Sequence, residues 1–214
     1  LLSRRQRQMC IRDRLYPAQV AEVLAPIAEY PEIQFSLKMR LGWENASECM
    51  VLVELLNTLR LSRIALHART GKQQYKGHPD LEAFQGFYEL CQHPLYYNGD
   101  IESLSDIRQI LTRFPLLKGV FIGRGLLSSP LLAKEFKGNE TFLPEQRMSI
   151  YFAFHEELFS AYSQVLQGET QLLVKMKTLW EYFLPETDRK LLKRIKKSTR
   201  LQQYTESVKA IFTS

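Results

Sequence analysis

From Pro17 to Gly123 the chain alternates between two hydrophobic periods. Short runs, IQFSLKMRLG (33–42), SRIALH (62–67), PLYYNG (94–99) and KGVFIG (118–123), read as strands. Between them PAQVAEVLAPIAEY (17–30), ASECMVLVELLNTLR (46–60), DLEAFQGFYELCQ (80–92) and SLSDIRQILTRF (103–114) carry apolar residues at helical spacing. Pro17 suits a first helical turn, Tyr30-Pro31 stops that helix, and Ser47 is a candidate cap for the next. A helix between successive strands requires a long crossover, which brings the chain back parallel and right-handed. Two architectures satisfy this pattern: a doubly wound open sheet, or half of an eight-stranded barrel.

Beyond Pro144 the strand pattern ends. The segments 145–167, 171–183, 188–198 and 201–212 read as four helices separated by Gly168, Pro185 and polar turns. The linker FKGNETFLP (136–144) is the expected boundary, giving an α/β domain over 15–138 and an all-helical domain over 145–214. The opening LLSRRQRQMCIRDR holds five arginines without an apolar face. A transit peptide is one reading of it; residues 1–14 are read here as a non-native segment and set aside with Cys10.

A formal charge of +6 and a pI near 9.2 favour a polyanionic partner. The three cysteines form no CxxC pair, which points to a reducing, cytoplasmic setting. No apolar run approaches the roughly 18 residues that span a bilayer. Nothing in the sequence points to a metal site or a protein partner. Neither GxGxxG nor GxxxxGK[ST] occurs, so the dinucleotide and nucleoside-triphosphate fingerprints are absent.

In parallel α/β folds, function gathers where strands end, because the following loops share one surface. Polar residues stand at all four predicted strand ends: Lys38 and Arg40, His67 and Arg69, Asn98 and Asp100, Gly123 and Arg124. Taken singly, Asn-Gly is a turn, Arg124 a solvated loop residue, Lys38 a surface residue and His67 a hydrogen-bonded structural one. Their recurrence at successive strand ends weakens that reading. Gly123 and Gly125 allow backbone amides to approach an anion, Arg124 adds charge, and a helix near Ser129 can direct its N-terminus there. A phosphate site between the last two strands is a recurrent barrel feature, which favours the barrel.

In order and spacing, LKMRLGW, LHARTGKQQYKG, YYNGDI and GVFIGRGLL resemble the tRNA-dihydrouridine synthases, over about Leu15 to Ser214. The resemblance implies an α/β fold, the C-terminal half of a TIM (β/α)8 barrel followed by a small all-α tRNA-binding domain. It implies FMN as cofactor, NADPH as reductant and tRNA uridine as substrate, reduced to 5,6-dihydrouridine. Lys38 and His67 would lie beside the flavin; Asn98, Gly99, Asp100, Gly123 and Arg124 would hold its ribityl chain and phosphate. Arg69 and Lys72 would lie near the incoming nucleotide. The family's catalytic cysteine belongs to an Asn-x-Gly-Cys-Pro loop upstream of Lys38, and no such motif occurs here, so no catalytic residue is assigned. Four strand-helix units stand where eight are expected, which reads as a truncated form of a whole enzyme. A half barrel with two bare edges is expected to be unstable or self-associating.

Between Lys175 and Arg200, nine basic residues face three acidic ones. A solvated helix face is the ordinary reading of such a run; the resemblance makes Lys175, Lys193, Lys196 and Lys197 candidate tRNA contacts. Trp180, Tyr182, Phe183 and His155 read as packing residues. The competing functions are an FMN oxidoreductase of a small molecule and an inactive flavin- and RNA-binding fragment.

Overall fold

A computed structural model describes residues 17–213 of the protein; the arginine-rich opening and Cys10 lie outside the described residues. The first helical stretch divides into α1 (Pro17–Leu24) and α2 (Pro26–Glu29). Four strands follow, β1 (Phe35–Gly42), β2 (Leu61–Thr70), β3 (Leu95–Asn98) and β4 (Gly119–Phe121), all parallel and in the order β1-β2-β3-β4. The helices α3 (Met50–Thr58), α4 (Leu81–Leu90) and α5 (Leu104–Arg113) connect them. A doubly wound sheet reverses its strand order at a switch point, and this one does not. Right-handed crossovers advancing in one direction build the wall of a barrel. Here that wall is an open arc, with β1 and β4 as its outer strands.

The two faces of the arc differ as strand alternation requires. Met39, Leu66 and Tyr97 align across β1, β2 and β3 and are buried, Tyr97 edge-on against Phe84 of α4. Phe84 packs in turn on Phe114, and Leu52, Val53 and Leu56 add the apolar face of α3 to this core. The opposite face carries Lys38, Arg40, His67, Tyr96, Asn98 and Phe121.

Several boundaries differ from those read in the sequence. The strand β2 runs past His67 to Thr70, because its backbone ladder with β1 continues to the Gly42–Thr70 pair whatever the side chains are. A 3-10 turn, Ala46–Cys49, precedes α3, and Asn45 rather than Ser47 caps it. The Glu48 carboxylate accepts from the backbone amides of Trp43 (2.7 Å), Glu44 (3.0 Å) and Asn45 (2.7 Å), which satisfies amides that would otherwise be orphaned. After β4, two short helices, α6 (Arg124–Ser128) and α7 (Leu132–Gly138), flank Ser129, where the sequence led to the expectation of one helix.

The chain divides into two compact units between Ile122 and Gly123, with Glu102–Leu104 grouped with the second. This division lies upstream of the 136–144 linker. The reason is local: Glu135 of α7 is buried and paired with Arg147 of α8 (Pro144–Val165), and Leu131 belongs to the helical core. That core joins α8 to α9 (Glu169–Leu179), α10 (Arg189–Lys197) and α11 (Leu201–Phe212). At its centre is a buried polar chain. His155 Nδ1 faces the Glu156 carboxylate at 3.1 Å and must donate to it, so Nε2 accepts from the Tyr204 hydroxyl at 2.7 Å. The Tyr204 oxygen accepts the Trp180 indole N–H at 2.9 Å. Burial lowers the His155 pKa, keeping the imidazole in the neutral form that this chain needs.

Substitution Tyr204→Phe removes one buried acceptor and one buried donor while conserving the ring. It is expected to reduce the stability of the helical unit by on the order of 1–3 kcal/mol, read as a lowered urea midpoint.

Candidate functional site

The register of the sheet brings together residues far apart in sequence. Arg40 pairs with His67, His67 with Asn98, and Asn98 with Phe121, so these four form one row across the strands near their C-terminal ends. Two steps earlier on β1, Lys38 pairs with Ala65, and Ala65, Tyr96 and Gly119 continue that row behind the first. Side chains two residues apart share a face, so Lys38, Arg40, His67 and Asn98 lie on the face opposite the Met39–Leu66–Tyr97 core.

Each member of the front row is held. Arg40 donates to the carbonyls of Thr70 (2.7 Å) and Gln74 (3.1 Å), and its guanidinium lies 5.8 Å from the centroid of the Tyr75 ring. Tyr75 also approaches the His67 ring, at 6.5 Å. The Asn98 amide donates to the Phe121 carbonyl at 2.8 Å, tying β3 to the end of β4. Phe121 meets Tyr96 edge-on at 5.4 Å and lies beneath Arg63. His67 is buried, and desolvation together with the neighbouring Arg40, Lys38 and Arg69 charges lowers its pKa to about 4 against a partial opposing effect of Asp100. The imidazole is therefore neutral at physiological pH, suited to hydrogen bonding and unsuited to act as an acid there.

The loops beyond β1 and β2 are fastened to each other. Gly71 N–H donates to the Gly42 carbonyl at 2.7 Å and Lys72 N–H to the Trp43 carbonyl at 2.9 Å. Trp43 lies so close to Gly71 that a Cβ there would stand 2.2 Å from its ring. Lys72 is exposed and forms an ion pair with Glu44. Arg69, read in the sequence as a neighbour of the incoming nucleotide, is fully buried and paired with Asp100. At Gly99, a Cβ would stand 2.5 Å from the Tyr97 hydroxyl, so the Asn-Gly-Asp turn packs where no side chain fits.

Gly123 and Arg124 open the second unit, Gly123 as the N-cap of α6. Gly123 has a negative φ of −100°, and a Cβ built on it would meet nothing within 4 Å. In the same unit Lys190, Lys193, Arg194 and Lys197 line a groove of about 430 Å³ between α10 and α11, with Ser198, Gln203, Glu206 and Ser207. Lys196 is exposed beside it, and Lys175, also exposed, lies over the Tyr162 ring at 5.5 Å. Trp180 and Phe183 are buried in the helical core.

Cys49 is buried and its thiol donates to the Ala46 carbonyl; Cys91 ends α4, where burial pushes its thiol pKa up. Neither belongs to the inner rows. Among the described residues no helix is long and apolar enough to cross a membrane. Sequence reasoning placed Arg40 at a strand end without a ligand role and passed over Tyr75. The cationic loop hinted at both, but only the strand register and loop path show that Tyr75 packs over the row. Glu48 was legible in the Asn45-x-x-Glu48 spacing of a capping box.

A model of the family described as Dihydrouridine synthase (Dus) matches residues 15–213. The chain is similar to a probable tRNA-dihydrouridine synthase of Rhizobium leguminosarum bv. phaseoli, 35% identical over 46% of this chain and 31% of that protein. It is similar to a probable tRNA-dihydrouridine synthase of Aquifex aeolicus, 34% identical over 56% of this chain and 36% of that protein. A tRNA-dihydrouridine synthase B of Vibrio vulnificus is 25% identical over 61% of this chain and 41% of its own length. The chain thus spans well under half the length of these curated relatives.

Because the His67 pKa falls from 6.5 unfolded to about 4 folded, its neutral form contributes stability above pH 6.5 that is lost as pH drops toward about 4. In His67→Asn that component is gone. Across this window the variant's urea midpoint is expected to fall less than that of the parent chain.

Proposed function

The chain belongs to the dihydrouridine synthase family, and from that premise we propose that it serves FMN-dependent reduction of a tRNA uridine to 5,6-dihydrouridine, with NADPH as reductant. The observation that carries this reading is the front row of the sheet, where a cation, a neutral imidazole, an amide and an aromatic ring stand side by side at the strand ends. Such a row suits a flat ligand with polar edges better than it suits a point charge.

The residues fit a flavin. Gly123 is glycine for neither a left-handed backbone nor a crowded neighbour, and the open space beside it suits a phosphate approached by a backbone amide. Lys38 and His67 would flank the ring, with Lys38 offering charge and His67 a neutral hydrogen-bonding group. Asn98, Gly99 and Asp100 would hold the ribityl chain, and Gly123 and Arg124 the phosphate. When bound and reduced by NADPH, the flavin would supply the hydride that saturates one carbon of the uracil double bond. The other carbon needs a proton, and His67 is a poor source of it at neutral pH because its imidazole is already deprotonated.

The target base of a tRNA must leave its stack to reach a buried flavin, which costs a few kcal/mol and is offset by binding elsewhere on the RNA. Lys193 and Lys197 in the groove between α10 and α11, with exposed Lys175 and Lys196, would neutralise phosphates. Lys72, at the loop beyond β2, would lie on the nucleotide side. A second reading is a flavin- and RNA-binding chain whose described residues supply no acid. It is favoured by the positions of Cys49 and Cys91, both away from the inner rows.

Titration of the chain with FMN is expected to quench flavin fluorescence, with Lys38→Ala and Arg124→Ala each weakening binding by about tenfold, the worth of one charge-assisted hydrogen bond. No quenching at millimolar protein would refute the flavin assignment. Binding of tRNA is expected to weaken steeply with salt. The double substitution Lys193→Glu and Lys197→Glu should flatten the log–log salt slope by roughly one for each phosphate no longer neutralised, and an unchanged slope would place the RNA elsewhere.

A further inference from the structure

Arg69 is only 1% exposed, and a cation is kept at such a position only when its charge and N–H groups are matched. Its Nη1 donates to Asp100 Oδ1 at 2.8 Å, and Nη2 donates to Asp100 Oδ2 and to the Gly77 carbonyl, the latter at 2.6 Å. One side chain in β2 therefore joins the turn after β3 to the far end of the cationic loop. Gly77 lies in the left-handed region, at φ +62°, which gives its carbonyl a direction that other residues rarely allow. The pair is asymmetric: the guanidinium is fully enclosed, whereas the Asp100 side chain is 30% exposed.

The guanidinium is not arranged for its own satisfaction. Its Nε is buried without a partner among the described residues, while both terminal nitrogens are committed to the two loops. A buried unmatched donor is costly, so the geometry favours the loops at the expense of the side chain. Lysine could not replace it, because a single ammonium cannot span both carboxylate oxygens in a fixed plane.

We infer that Arg69 is a positioning residue: it clamps the Asn98–Asp100 turn to the Gly77 loop and fixes the Asp100 carboxylate, which in the flavin reading meets a polyol chain. As to the ligand, this rests on the flavin reading; as to the clamp, it rests on the ion pair alone. In the flavin reading Asp100, whose side chain is 30% exposed, is the member that would meet the ligand, and Arg69 would act through it.

The experiment compares the full chain with Arg69→Lys, Asp100→Asn and the double variant by two readouts. Hydrogen exchange, which needs no flavin, is expected to quicken in Arg69→Lys at residues 71–77 and 98–101 and to stay unchanged in the remainder of the sheet. Fluorescence titration with FMN is expected to show binding weakened by about tenfold or more in each single variant, with the double variant no weaker than the poorer single. Uniform quickening throughout the sheet would overturn the clamp, because Arg69 would then support the fold in general. An Arg69→Lys affinity within about twofold of the parent beside a weakened Asp100→Asn would overturn positioning at the ligand. If the parent fails to bind FMN, the flavin reading falls, and the exchange pattern alone decides for or against the clamp. Should a single variant fail to fold, Arg69→Met with Asp100→Asn, which removes both charges, takes its place in both readouts.

Discussion

The parallel register of four consecutive strands is the constraint on which the rest of the first unit depends. A parallel sheet wound in one direction brings every strand end to the same edge and gives every aligned residue the same face. Arg40, His67, Asn98 and Phe121 become neighbours for that reason alone. A one-residue slip in any strand would turn its polar residue toward the helices and its apolar neighbour toward the open face. The buried set Met39, Leu66 and Tyr97 forbids this, because each would lose its packing.

The polar end of the sheet requires many desolvated groups to be matched, and the loops around it show how that is done. Three backbone amides close on Glu48, the loops after β1 and β2 bond to each other, and Arg40 and Arg69 reach into the cationic loop from within the sheet. The cations of this region are thus engaged largely by carbonyls and carboxylates of the protein itself. Their summed field helps burial keep His67 neutral, so the chemistry of the row is that of a hydrogen-bonding surface more than of an acid. In the helical unit the same logic appears without a ligand: His155, Tyr204 and Trp180 satisfy one another inside an apolar cluster.

The similarity to curated tRNA-dihydrouridine synthases covers well under half of each relative's length. The family model, which matches residues 15–213, takes in both the open arc of sheet and the helical unit. An arc with outer strands at β1 and β4 carries hydrogen-bonding edges, the feature that closed barrels remove.

The four strands, the alternation that makes them parallel, the helical tail and the polar residues at the strand ends were all legible in the order of residues. These follow from local periodicity and turn chemistry, which are written in adjacent residues. The same order also carried the family, because LKMRLGW, LHARTGKQQYKG, YYNGDI and GVFIGRGLL are distinctive in combination. Tertiary structure alone decided which of the cations face outward. Arg69 and Lys72 are three residues apart in the same motif, yet one is enclosed with Asp100 and the other exposed beside Glu44. The start of the second unit at Gly123 was equally hidden, since it depends on Leu131 and Glu135 meeting a helix later in the chain. Burial and ion pairing depend on partners distant in sequence, and no local pattern encodes which partner a charge will find.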